Sequence, residues 1–216
     1  MTSQQAGTTE LILIRHGETV WNREGRWQGH LDSELTPVGL RQAEAVARRL
    51  ARVDFVALYS SDLGRARRTA ECIAAASGRP LQTDSGLRER ALGVFQGLRL
   101  DEIHQRFPHE FERFRRRDPD HVIPEGESLR DKHERAVACL ERIARTHAGS
   151  RVVIVTHGGV LDSAFRLALE LPLSIPRRWV LYNGSLNTFF RDDNGWSLGT
   201  WGDISHLDHA GTLDDY

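Results

Sequence analysis

Apolar residues recur along this chain with two different periods. Short unbroken runs at Leu11–Ile14, Phe55–Tyr59 and Arg151–Thr156 have the length and β-branched content of strands buried on both faces. Between them the apolar positions fall three and four apart, the spacing of a helix with one buried stripe. Thr36-Pro37 supplies an N-cap and an N1 proline, and Leu40, Ala43, Ala47 and Leu50 follow on one face. Asp62 is placed to cap a second helix, which runs to about Ser77 and stops at Gly78 and Pro80. Leu81–Thr83 reads as a short edge strand.

Leu98–Asp118 is helical but irregular, interrupted by Pro108 and ended by Pro119. Glu125-Gly126-Glu127-Ser128 makes a turn and a cap. A long helix then carries Leu129, Ala136, Val137, Leu140, Ile143 and Ala144 and stops at Gly149. The run Arg151–Thr156 leads into a helix reaching about Leu169. Trp179–Tyr182, Leu186–Arg191 and Trp196–Trp201 are predicted as closing strands. Strands separated by helices require crossover connections. The predicted fold is therefore α/β: a three-layer α/β/α sandwich with a mainly parallel central sheet and a small helical cap over residues 98–124. Its 216 residues fit one catalytic domain.

Composition narrows the function classes. Lys+Arg number 29 and Asp+Glu 30, for a formal net charge of −1. That balance argues against nucleic acid as a partner, which would favour a basic face. Lys132 is the only lysine, so the cations are almost all planar guanidinium forks suited to phosphate and carboxylate. Cys72 and Cys139 are far apart and form no C-x-x-C, so neither a disulfide framework nor a thiolate metal site is expected, and a cytoplasmic setting is the default. Met1–Gln5 has neither a positive n-region nor an apolar h-region, and no apolar run is long enough to span a bilayer.

Candidate chemistry collects where strands end. Arg15-His16-Gly17-Glu18-Thr19 follows the first strand, and a cation beside an imidazole at a strand exit can bind an anion and attack it. The bland alternative is a surface Arg-His pair. His157, in Thr156-His157-Gly158-Gly159, follows the strongest strand. Arg65 lies in the first turn of the helix after Phe55–Tyr59, where free N–H groups favour an anion. Glu89, in Leu87-Arg88-Glu89-Arg90, follows the edge strand and is a candidate proton donor; pairing with Arg88 or Arg90 is its alternative. In parallel sheets, ligands bind at these carboxyl ends. His104 and His109 lie across a proline break, so no metal pair is expected there. Arg113, Arg115, Arg116 and Arg117 read as a solvated face, with Phe107, Phe111 and Phe114 packing down.

These motifs, in this order, resemble the histidine phosphatase superfamily, the phosphoglycerate-mutase-like proteins. The resemblance continues through Trp21-Asn22, Gly25–Gly29, Asp32, Leu35–Ala43, Ser60–Ala70, Leu87–Glu89, Gly126–Ser128 and Asp203–Leu207. It implies that His16 is the nucleophile, that Arg15, Arg65 and His157 surround the phosphoryl oxygens, and that Glu89 handles the proton. Asn22, Gln28, Gly29 and Gly158 would complete the phosphate site. Asp32 and Glu127 read as structural caps or turn residues, and Glu18 as local structure. No metal and no cofactor is implied; a small phosphate ester is the implied partner, with a monomer or homodimer as the working unit.

The family divides between hydrolases and mutases. Trp27-Gln28-Gly29 resembles the broad-specificity phosphatase branch. Glu89-Arg90-Ala91-Leu92-Gly93 lacks the His-Tyr of the mutase pattern, and the stretch from Glu89 to His157 is short, so water is the favoured acceptor. A 2,3-bisphosphoglycerate-dependent mutase is the alternative, and a phospho-ligand-binding protein without turnover the third reading.

Overall fold

In a computed structural model, residues 7–207 are described; the leader reading of Met1–Gln5 lies outside them. Six strands form one sheet: β1 (Thr9–Arg15), β2 (Ala57–Ser60), β3 (Leu81–Thr83), β4 (Arg151–Thr156), β5 (Leu186–Asp192) and β6 (Gly195–Asp203). Their spatial order is β3-β2-β4-β1-β5-β6. The four strands β3, β2, β4 and β1 are mutually parallel, and β5 runs antiparallel to both β1 and β6.

Helices α2 (Pro37–Leu50) and α3 (Gly64–Ser77) cover one face, and α6 (Leu129–Thr146) and α7 (Gly158–Ala168) cover the other. The unbroken apolar runs follow from this. Ile12, Ile14, Val153 and Val155 pack under α2 and α3, while Leu11, Leu13, Val152 and Ile154 pack under α6 and α7. A strand with helices on both faces needs apolar residues at every position.

A third apolar cluster gathers Phe95, Ile103, Phe111 and Ile123. It joins α4 (Leu100–Arg106) to α5 (Pro108–Arg115), with Pro108 opening the second helix. Trp27, Leu92, Val94, Phe107 and Phe114 pack against it, so the apolar cap reaches back before Leu98. Exposed Arg113 and Arg115 pair with Glu110 and Glu112, as a solvated helix face does.

Two local expectations are corrected. Trp179–Tyr182 is not one of the six strands; it lies in the irregular segment between α7 and β5. There Trp179 stacks on Phe165, with ring centroids 4.3 Å apart, and the packing of aromatic rings replaces a ladder. Asp62 does not cap α3. Its carboxylate is taken by Arg88, at 2.7 Å. The cap comes from Asp32, whose carboxylate accepts from the Gly64 and Arg65 amides across 32 and 33 residues of chain. A long-range cap leaves no local sequence pattern.

Candidate active site

Register places the two histidines side by side. Arg15 on β1 is paired with Thr156 on β4, so His16 and His157 leave neighbouring parallel strands at one level. The chain after β1 turns to the α2 face and the chain after β4 to the α7 face. The crevice between those diverging connections is where a parallel sheet offers a ligand site. Here the imidazole centroids are 5.2 Å apart.

His16 is 2 % exposed. Its Nδ1 donates to the Gly17 carbonyl at 2.8 Å. A carbonyl can only accept, so the proton sits on Nδ1 and Nε2 carries a free lone pair. Burial, then the charges of Arg65 and Arg15, hold the His16 pKa well below its ordinary 6.5. His157 is completely buried, and burial, Arg65, His16 and Arg15 depress it in the same direction. Both rings are therefore neutral at pH 7.

Two buried guanidiniums supply the positive charge. Arg15 donates to the Leu181 carbonyl. Arg65 is locked by the loop before α2, donating to Gly29 O at 2.8 Å, Leu31 O at 2.9 Å and Asp32 Oδ1 at 3.0 Å. Gly29 turns this loop with φ +55°, and a Cβ there would press on the Gln96 side chain. Gln28 is buried with its Oε1 unpartnered among the described residues. Asn22 closes the first turn of α1 (Val20–Glu24), its Oδ1 accepting from Thr19 N at 3.1 Å. Arg67 and Arg68, by contrast, lie on the outer face of α3 and pair with Glu71.

Glu89 comes to the same crevice from beyond β3. Its carboxylate accepts from Gly159 N at 2.8 Å and from Arg90 N at 2.7 Å. Its carbonyl accepts from His30 Nε2 at 2.8 Å and Arg135 Nη2 at 3.1 Å. Arg88 pairs with Asp62, and Arg90 donates to the carbonyls of Glu127 and His121. Neither guanidinium is bonded to the Glu89 carboxylate. Glu127 binds Arg135 at 2.9 Å and Ala91 N at 2.9 Å, a structural brace for the Glu89 loop.

The profile of the histidine phosphatase superfamily (branch 1) matches residues 11–204. The chain belongs to this superfamily. Phosphoglycerate mutase-like protein 4 of Arabidopsis thaliana is 41 % identical over 215 residues, covering 98 % of this chain and 92 % of the relative. The metal-independent phosphoserine phosphatase of the same plant is 41 % identical over 212 residues, covering 97 % and 87 %. Among solved structures, Bacillus stearothermophilus YhfR superposes with a TM-score of 0.85 at 36 % identity, covering 93 % of this chain and all of that one. Within this histidine phosphatase fold, His16, His157, Arg15 and Arg65 lie together at the ends of β1 and β4, and the Glu89 carboxylate sits against Gly159, two residues after His157. Gly158 opens α7 beside Arg15, where a Cβ would touch Leu181.

The sequence reading missed the supporting residues. Asn183 is fully buried, and its Nδ2 donates to the His16 carbonyl at 3.0 Å. His30 and Arg135 hold the Glu89 backbone. Arg135 also binds the Gly86 and Arg88 carbonyls, each at 3.0 Å. Nothing in local periodicity marks such residues, because their partners are carbonyls of distant loops. Among the described residues, no group of three or more His, Cys, Asp or Glu side chains is placed to hold a metal ion.

Proposed function

We propose that this chain is a metal-independent phosphomonoesterase acting on small phosphorylated metabolites through a phosphohistidine at His16. The observation that carries the reading is the His16 ring: proton fixed on Nδ1, lone pair on Nε2, and two buried arginines beside it. An anionic phosphate entering this crevice meets the charges of Arg15 and Arg65 and the neutral ring of His157. Gln28, Asn22 and the Gly29 and Gly158 backbone complete the enclosure. Phosphoryl transfer depends chiefly on positioning and charge stabilisation, which such a ring of donors supplies.

In the first step His16 Nε2 attacks phosphorus and the bond to the ester oxygen breaks. Glu89, entering as the carboxylic acid, passes its proton to that leaving oxygen. In the second step water attacks the phosphohistidine, Glu89 takes the water proton, and the P–N bond breaks. His16 is returned neutral, with its Nδ1 proton still on the Gly17 carbonyl.

Water is the acceptor in this reading because Ala91 and Leu92 place no polar side chain beside Glu89 to hold a second phosphorylated hydroxyl. The phosphoserine phosphatase relative favours hydrolysis. The mutase-like relative favours transfer and sets the competing arm of the test. Purified protein is expected to release phosphate from an aryl phosphate with EDTA present, and His16→Ala to lose at least about 10³-fold in kcat. Acid-labile, base-stable phosphate should label the wild type and not the variant. Full turnover by His16→Ala would refute the proposal. Conversion of 3-phosphoglycerate to 2-phosphoglycerate only with a bisphosphorylated primer, without phosphate release, would establish the mutase instead.

A further inference from the structure

Lys132 lies on α6 and is 1 % exposed. Its Nζ donates to the Gly159 carbonyl at 2.7 Å and to the Ser163 hydroxyl at 2.9 Å. Both partners are neutral. The nearby Asp162 carboxylate is bonded to Arg166, at 2.9 Å. Burial lowers the Lys132 pKa from its ordinary value, while the charges of Asp162 and Glu89 oppose that shift and Arg90 and Arg166 add to it. An ammonium buried among neutral partners is costly, and a methionine of similar length would fill the space without that cost. Packing alone does not explain the charge.

What the charge faces does. Gly159 accepts from Lys132 through its carbonyl and donates to the Glu89 carboxylate through its N–H. A Cβ at Gly159 would push that carboxylate out of its place. Lys132 is thus one residue removed from the proton-handling group. Arg135, one helical turn along α6, grips the Glu89 carbonyl. One face of α6 therefore fixes Glu89 at both its backbone and its carboxylate.

We propose that Lys132 is a positioning residue for Glu89: its buried ammonium holds the first turn of α7 so that the Gly159 N–H fixes the carboxylate, and it places a positive charge behind the group that gives and takes the proton. This inference rests on the reading of Glu89 as the proton donor. It separates Lys132 from the residues that bind phosphate, and the two roles respond differently to the leaving group. An activated aryl oxygen departs without a proton, whereas an alkyl oxygen needs one.

The test measures kcat/KM, which reports phosphoenzyme formation, for an activated aryl phosphate and an alkyl phosphate. The proteins are the wild type, Lys132→Met, Glu89→Gln and their double variant. Lys132→Met should lose on the order of tenfold or more with the alkyl phosphate and less than about threefold with the aryl phosphate, the scale expected of a misplaced catalytic group. Vanadate affinity should stay within about threefold of the wild type. In the Glu89→Gln background, Lys132→Met should cause no further loss with the alkyl ester, since groups acting as a unit are not additive. Lys132→Gln keeps donors for the Gly159 carbonyl and tests the charge alone; if Lys132→Met fails to fold, the same comparison is made with it. Equal losses with both esters, or losses that add to those of Glu89→Gln, would overturn the inference. If Glu89→Gln itself shows no leaving-group dependence, the assignment of Glu89 falls instead.

Discussion

His16 shows how much a single proton's position decides. The ring has two nitrogens, and only the one without hydrogen can attack phosphorus. The Gly17 carbonyl, 2.8 Å from Nδ1, makes that choice before any substrate arrives. Burial and the two arginines add a second constraint, holding the ring neutral in mildly acidic solution. Imidazole nitrogen NMR should therefore show His16 as the Nδ1–H tautomer at pH 7, with protonation setting in only well below the pH near 6.5 at which an unperturbed histidine titrates. A ring that titrates near pH 6.5 in the folded protein would contradict this account. In the proposed mechanism the same cations that lower the proton affinity of His16 would attract the phosphate, so that one pair of arginines would serve binding and nucleophile activation together.

At the scale of elements, the His16 loop is held by backbone packed on backbone. A Cβ on Gly39, in the first turn of α2, would collide with the backbone of Glu18, and a Cβ on Gly17 would collide with Gly39. Thr36 caps that turn, accepting from Gly39 N at 3.0 Å and donating to the Glu18 carboxylate at 2.6 Å. At Gly17 and Gly39 the helix start and the loop after β1 therefore meet backbone against backbone. Gly39→Ala should destabilise the fold by about 1–3 kcal/mol, as overpacking does, and should lower aryl phosphate turnover by displacing His16. Thermal melts and kinetics on the same protein check both effects; an unchanged melting temperature with normal turnover would show that the loop can yield. The motif Leu35–Ala43 was legible as a helix start, because Thr-Pro caps act locally. That its glycine must admit another loop was not, because the neighbour is distant in sequence.

Across the whole molecule, the buried histidines make stability depend on pH. His16 and His157 sit well below 6.5 in the folded state, and His133 falls to about 4, chiefly through burial. Above pH 6.5 these rings are neutral in both folded and unfolded chains and contribute nothing. As pH falls through 6.5, the unfolded chain takes up protons that the folded one refuses, so folding weakens towards the depressed values. The melting temperature should fall between pH 7 and pH 5, with a shallower slope in His16→Ala; a flat profile would refute this. The sequence by itself determined the strand-helix alternation and the fold class, because a sheet covered on both faces demands unbroken apolar runs. It also marked His16, His157, Arg15, Arg65 and Glu89 as candidates, because their motifs stand at strand ends or in the loop or first helical turn beyond them. Only the tertiary structure decided which residues support them. Asp32, legible as a cap or turn residue, turns out to cap α3 from a distant loop, Asn183 holds the His16 carbonyl, and Arg135 and Lys132 reach Glu89 from α6. Hydrogen bonds to far carbonyls and amides carry no periodicity, so these partners become visible only once the chain has folded.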